Sequence, residues 1–217
     1  MKYDAVRILL LIILLLCLSA APVYSHPHMF IDSEVTFDFD RDSLKGFWIQ
    51  WYFDVMFTAS IRLDYDYDKN GQFDTAEVRD IEQQAFQNLR NFHYFTCVIR
   101  EDGVDSVEEV RNFDAWLEDD QLVYRFFVPY RVTLTEDVEK LSIIIFDDTF
   151  WCDILYREDS PVKYKGEAWV AAEADIRANR EQMIEYDPTG GRDRTGNQTA
   201  ALGQAFPYEL RLSFRKK

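Results

Sequence analysis

The sequence predicts an α+β protein, mainly antiparallel β in a sandwich or meander, with one helix–loop–helix segment inserted between strands. Three observations carry this. Residues 29 to 39 alternate, with Met29, Ile31, Val35, Phe37 and Phe39 on one face and Asp32, Glu34 and Asp38 on the other, the period-two pattern of a half-buried strand. Further short apolar runs recur between turn residues along most of the chain. Between residues 54 and 92 the period changes to that of a helix: Val55, Ala59 and Leu63 precede an Asp/Asn/Gly-rich loop, and Val78, Ile81, Ala85, Leu89 and Phe92 follow it.

In chain order, the first residues carry Lys2 and Arg7, then an apolar run from Ile8 to Leu18, then small and polar residues. This is the order of a secretory signal peptide, and the run is short for a bilayer span. Val23 and Ser25 supply the small residues that cleavage requires, whereas a cut after Ala21 would leave Pro22 at the new terminus. Residues 1–25 are therefore expected to be a leader, with His26 first in the mature chain. Cys17 follows Leu16 rather than the small residue a lipoprotein signal wants. The expected product is periplasmic or secreted, with no membrane insertion after cleavage.

Residues 26–170 read as the β-rich domain. After the strand at 29–39, the aromatic run Phe47 to Phe53 follows Gly46 as an antiparallel partner. The β pattern resumes after the helical insertion at Tyr94 to Arg100, turns at Glu101-Asp102-Gly103, and continues from Val107 to Leu117. Leu122 to Val128 is a strand that Pro129 is expected to end, followed by Leu141 to Phe146, Phe150 to Tyr156 and the short stretch Val162 to Lys165. Residues 171–217 read as a charged C-terminal extension: helix-forming composition from Ala172 to Tyr186, a flexible loop over 187–204 with Pro188, Gly190, Gly191 and Gly196, and an alternating end, Leu210, Leu212, Phe214, that could return as an edge strand.

The loop in the helical insertion is the most specific chemical signal. Residues 66 to 77, Asp-Tyr-Asp-Lys-Asn-Gly-Gln-Phe-Asp-Thr-Ala-Glu, fit every ligand position of a twelve-residue EF-hand calcium loop. Asp66, Asp68 and Asn70 offer side-chain oxygens at positions 1, 3 and 5. Gln72 gives its backbone carbonyl at 7, Asp74 reaches directly or through water at 9, and Glu77 chelates bidentately at 12. Gly71 stands where the loop turns sharply. An Asx-rich turn that binds nothing is the alternative reading, but twelve consecutive positions fit at once. No second loop of this type occurs, which favours a Ca2+ clamp holding two helices over a calcium-operated switch.

Charge and cysteine content bound the rest. The net charge of −15 repels phosphate backbones and argues against nucleic acid as a partner. With 47% hydrophobic and 16% aromatic residues, the chain can fill a core. Once the leader is removed, Cys97 and Cys152 remain, and an even count in an oxidising compartment predicts a disulfide, two packed thiols being the alternative.

Two of the three histidines, His26 and His28, flank Pro27 at the expected new terminus. Side chains two apart on extended backbone share a face, and imidazole suits Zn, Ni, Co, Cu or Fe. A terminal His26 adds its α-amine, while Pro27, lacking an amide N–H, excludes a chelate of consecutive deprotonated amides. His93 reads as a structural histidine. Asp54, Asp147, Asp148 and Asp153 are candidate third ligands.

The stretch His26-Pro27-His28-Met29-Phe30-Ile31-Asp32, then Trp51-Tyr52-Phe53-Asp54, the calcium-type loop, Tyr94-Phe95-Thr96 and Phe146-Asp147-Asp148-Thr149-Phe150 together resemble the DUF1007 family of exported proteins over about residues 26 to 165. The resemblance implies a periplasmic component of an ABC-type transport system, often for nickel, cobalt or zinc, with membrane transporter components as partners. The charged tail after about residue 170 departs from the family pattern.

The resulting expectation is a calcium-stabilised protein that binds a divalent transition metal at its N-terminal histidines in the service of metal transport. It is not read as an enzyme: no Gly-x-Ser-x-Gly elbow, phosphate-binding glycine loop or His-Glu-x-x-His pattern occurs. Two alternatives stay open, a copper-type metalloenzyme using the same histidines and a structural or adaptor module whose one ion is calcium.

Overall fold

The computed structural model describes residues 28–149, 151–180, 184–186 and 203–217. The expected leader, His26 and most of the 187–204 loop lie outside them. The described chain is mostly strand with two helices, and none of its helices is long and apolar enough to cross a membrane.

β1 (Met29–Phe39) and β2 (Ser43–Phe53) form an antiparallel hairpin, as the alternation in each requires. β2 leads into α1 (Val55–Tyr65), a loop, α2 (Thr75–Gln84) and tight helical turns over Phe86–Phe95. Then follow β3 (Thr96–Arg100), β4 (Gly103–Ser106), β5 (Arg111–Glu118), β6 (Gln121–Thr133) and β7 (Glu139–Ile145). β8 (Cys152–Tyr156), β9 (Val162–Lys165), β10 (Val170–Ala178), β11 (Ile184–Tyr186), β12 (Gly203–Ala205) and β13 (Tyr208–Lys216) complete the order.

Two sheets result. One runs β5-β6-β2-β1-β8, with β9 also on β1; the other runs β10-β13-β7-β3-β4. Their inner faces meet in one apolar cluster: Val35, Phe37, Ile49, Trp51 and Phe126 from the first sheet, Val98, Ile143, Leu210, Leu212 and Phe214 from the second. This is the layered arrangement that buries one face of each sheet. The chain after the turn at residues 101–103 divides between the sheets: β4 pairs in the second sheet and β5 in the first, with buried Val107 between them.

The sheets are mainly antiparallel, as expected, and four features refine or correct the sequence reading. First, they also hold parallel pairs, because β1 pairs in parallel with β8 along its first half and with β9 along its second. Such pairing needs the chain to cross between sheets before returning, a non-local fact. Second, Pro129 does not end β6. It lies opposite Gly46, where the register shifts, and a bulge is where a residue without an N–H is tolerated inside a sheet.

Third, residues 170–178 are a strand, not part of a helix. β10 pairs with β13 over its whole length, and Val170, Ala172, Ala174 and Ile176 turn toward the core. The helix preference of alanine is a weak prior that this pairing overrides. β13 lies between β10 and β7 rather than at an edge, so these strands of the tail complete the second sheet.

Fourth, Cys97 and Cys152 are both free. Cys152 is buried on the core side of β8, whereas Cys97 on β3 alternates with buried Thr96 and Val98 and so points from the opposite face of the other sheet. Burial raises the pKa of both thiols, assisted at Cys152 by the Asp147 carboxylate. Because the thiolate is the reactive form, both are expected to resist a thiol reagent at neutral pH in the native protein and to react, without prior reduction, once it is denatured. Reaction of the denatured protein only after reduction would restore the disulfide.

Candidate functional site

The loop between α1 and α2 is built by local hydrogen bonding. Asp66 closes α1, its amide reaching the Arg62 carbonyl. Its carboxylate then turns inward and accepts from the amides of Asn70 and Gly71, each at 3.1 Å. Asp68 accepts from the Asn70 amide at 3.1 Å and from its side-chain nitrogen at 2.8 Å, while the Asn70 side-chain oxygen accepts from the Gln72 amide at 2.8 Å. The turn depends on Gly71 at φ 79°, a left-handed conformation that glycine adopts without steric cost.

At the far side, Asp74 caps α2, its Oδ1 accepting from the amides of Ala76 at 2.7 Å and Glu77 at 3.0 Å. Glu77 returns the contact, its Oε2 accepting from the Asp74 amide at 2.8 Å to complete a capping box. Its Oε1 reaches across the loop to the Tyr67 amide at 2.8 Å. The capping residues therefore place Glu77 facing the start of the loop.

Asp66, Asp68 and Glu77 each direct a carboxylate oxygen to one point, all within 4.8 Å of one another. Asp66 and Glu77 are 7% and 3% exposed. No lysine or arginine forms an ion pair with either among the described residues; the nearby Arg62 instead reaches Asp120 at 3.4 Å. Of the six residues expected at this site, these three converge. Asn70 and Gln72 lie on the same turn, and the Asp74 carboxylate is occupied as a helix cap. Two buried like charges side by side are unfavourable unless a cation joins them, and an all-oxygen donor set of this kind suits a hard cation such as Ca2+.

The N-terminal histidines are less assembled. His28 is exposed, donates its amide to the Trp151 carbonyl at 2.9 Å, and packs its ring against Trp151 at a tilt of 34° with 4.1 Å between centroids. His26 lies outside the described residues. Among the described residues, His28 belongs to no cluster of three or more His, Cys, Asp or Glu side chains. The candidate third ligands are committed elsewhere or apart. Asp54 caps α1 through the amides of Met56 and Phe57 and holds the Phe30 amide at 2.8 Å; Asp147 accepts from Thr149 and from the Cys152 amide. Burial raises the pKa of Asp153. Asp148 lies beside His93 in a separate cleft, and His93 pairs at the surface with Glu108 through Nδ1 at 3.0 Å.

Sequence reasoning missed an apolar cavity of about 470 Å³ enclosed by the first sheet, α1 and the turns after α2. Its lining includes Trp51 and Tyr124, which look like ordinary core aromatics in the sequence. Only the pairing of β2 with β6 brings them to one wall.

Comparison with known proteins gives one family and relatives of undefined role. The model of the family described as "Protein of unknown function (DUF1007)" matches residues 11–214, so the match extends over the tail that seemed to depart from the family. The chain is 31% identical over 103 residues to the "Uncharacterized 15.5 kDa protein in trpE 3'region" of Spirochaeta aurantia, covering 48% of this chain and 73% of that protein. It is 22% identical over 190 residues to an "Uncharacterized protein" of Haemophilus influenzae, covering 87% of this chain and 90% of that one.

Proposed function

The chain belongs to the DUF1007 family, and from that premise we propose that it is an exported binding protein whose helix–loop–helix is an EF-hand-type calcium site that clamps α1 and α2 to the β-sandwich. The observation that carries the reading is the buried pair Asp66 and Glu77, converging with Asp68 and, among the described residues, in no ion pair with a lysine or arginine. Asp66, Asp68, Asn70, Gln72 and Asp74 would supply oxygens from the loop, and Glu77 would close the shell from α2. Bound calcium offsets the mutual repulsion of the carboxylates and stabilises the folded state only. Its role here is structural, since a single loop has no paired partner through which to open a groove.

Limited proteolysis tests this. Lys69 is exposed at the loop tip, so trypsin is expected to cut after it in chelator and much more slowly in millimolar calcium. Equal cleavage rates in both would count against the site.

Within the same reading, His28 is the described part of a transition-metal site that His26 would complete, serving a metal-transport system. The tilted ring contact of His28 with Trp151 at the start of β1 favours this by holding the imidazole in place. His28→Ala is expected to weaken Zn, Ni or Cu binding by roughly tenfold or more while leaving calcium-dependent protection at Lys69 unchanged. Unaltered transition-metal affinity would leave the histidines without a ligand role.

A further inference from the structure

We propose that the outward side of α1 is a docking surface for a partner protein that presents an amphipathic helix with basic residues beside its apolar stripe. The proposal stands apart from the calcium and histidine sites and concerns different residues.

A helix on the surface of a globular protein normally turns charged and polar residues to solvent. α1 does not. Its sequence, Val-Met-Phe-Thr-Ala-Ser-Ile-Arg-Leu-Asp-Tyr, holds two charged residues, Arg62 and Asp64, and apolar side chains lie on both sides of it. Thr58 and Ile61 are buried, with Phe57 and Tyr65 packed against the core. Val55, Met56, Ala59 and Leu63 form a stripe at helical spacing on the opposite side. All four are exposed, Val55 at 79%, Met56 at 78% and Leu63 at 84%. A single exposed leucine is ordinary, but a contiguous apolar stripe marks an interaction surface.

The stripe is also fixed in place. Asp54 caps the helix through the amides of Met56 and Phe57. Thr58 Oγ1 accepts from the Leu122 amide at 3.1 Å, and the Gln121 side chain donates to the Phe53 carbonyl at 2.9 Å, just ahead of α1. A surface already held in its bound form loses little conformational freedom when a partner docks.

Charge selects the occupant. Asp64 borders the stripe on one side. On the other, the β5–β6 turn carries Glu118, Asp119 and Asp120, all exposed, and Arg62, the cation of α1, is engaged by Asp120 at 3.4 Å. An apolar stripe between carboxylates is complementary to apolar side chains flanked by lysine or arginine. The same charges disfavour other occupants: a net charge of −15 opposes a second copy of the chain, and an anionic lipid surface attracts basic rather than acidic faces. From Val55 to Leu63 the stripe is roughly 12 Å long, the span over which one docked helix places anchors at i, i+4 and i+7.

The test titrates the full protein, in millimolar calcium at physiological ionic strength, with a fluorescently labelled synthetic helical peptide carrying leucines along one face and lysines beside them. Saturable binding with one peptide per chain is expected. The same peptide with glutamates in place of the lysines should bind more than tenfold more weakly. Met56→Gln with Leu63→Gln alters only exposed side chains and leaves the charge of the protein unchanged; it should weaken binding of the lysine peptide more than tenfold. Asp64→Asn with Asp119→Asn should weaken it about threefold and reduce its salt dependence. The proposal is overturned if the lysine peptide does not bind, if the glutamate peptide binds as tightly, or if either double variant binds the lysine peptide as the parent does. A dimer in sedimentation that Leu63→Gln dissociates would assign the surface to a second copy and overturn it as well.

Discussion

A Glu77→Gln chain is expected to lose about 2–3 kcal/mol more stability in millimolar calcium than in chelator. Glu77 holds the Tyr67 amide through Oε1 and the Asp74 amide through Oε2, and glutamine has one acceptor oxygen, so one of the two hydrogen bonds is lost in both conditions at a cost of about 1 kcal/mol. The further, calcium-dependent loss is that of the bidentate charged ligand at the end of the loop. Stabilisation by a ligand present at a hundred times its dissociation constant is about 2.7 kcal/mol, which in a domain of this size corresponds to roughly 5–10 °C in Tm. Asp66→Asn should behave in the same way. Equal losses with and without calcium would mean that these carboxylates act through packing alone.

Gly46→Ala is expected to destabilise the protein by more than about 4 kcal/mol, the range reserved for a named structural failure. Gly46 has φ 147°, and a Cβ added there would lie 2.1 Å from the Val128 carbonyl oxygen and 2.8 Å from the Tyr130 amide. Both are backbone atoms of β6 at the bulge opposite Pro129, so no side-chain rotation relieves the clash. Gly103→Ala is the control. Its φ of 155° is equally unsuited to a side chain, but no atom lies within 4 Å of the added Cβ. It should cost only about 1–2 kcal/mol of conformational strain. Urea midpoints for the two variants measure the difference; a Gly46→Ala loss no larger than that of Gly103→Ala would contradict the close approach.

What could be read from the sequence was local. The alternation of β1 acts over a few residues and appears in the structure as the pattern implies, whereas the capping box of Asp74 and Glu77, equally local, went unread because both residues were taken as ligands. The acidic loop was legible as β1 was, because spacing along one turn decides which carboxylates meet. The misreadings depend on partners far away in the chain. Pro129 stays in β6 because Gly46, more than eighty residues earlier, makes room for it. β10 is a strand because β13 pairs with it, although the alternation of Val170, Ala172, Ala174 and Ile176 was itself a signal that alanine composition obscured. The cavity was invisible because Trp51 and Tyr124 read as ordinary core aromatics until β2 and β6 pair.

The central claim is that the Asp66–Asp68–Glu77 cluster holds one calcium ion, and the most direct measurement is calorimetric titration of decalcified protein with calcium. The parent is expected to take up one ion per chain, and Glu77→Gln none at the same concentrations. No uptake by the folded parent at millimolar calcium, or undiminished uptake by Glu77→Gln, would contradict the account.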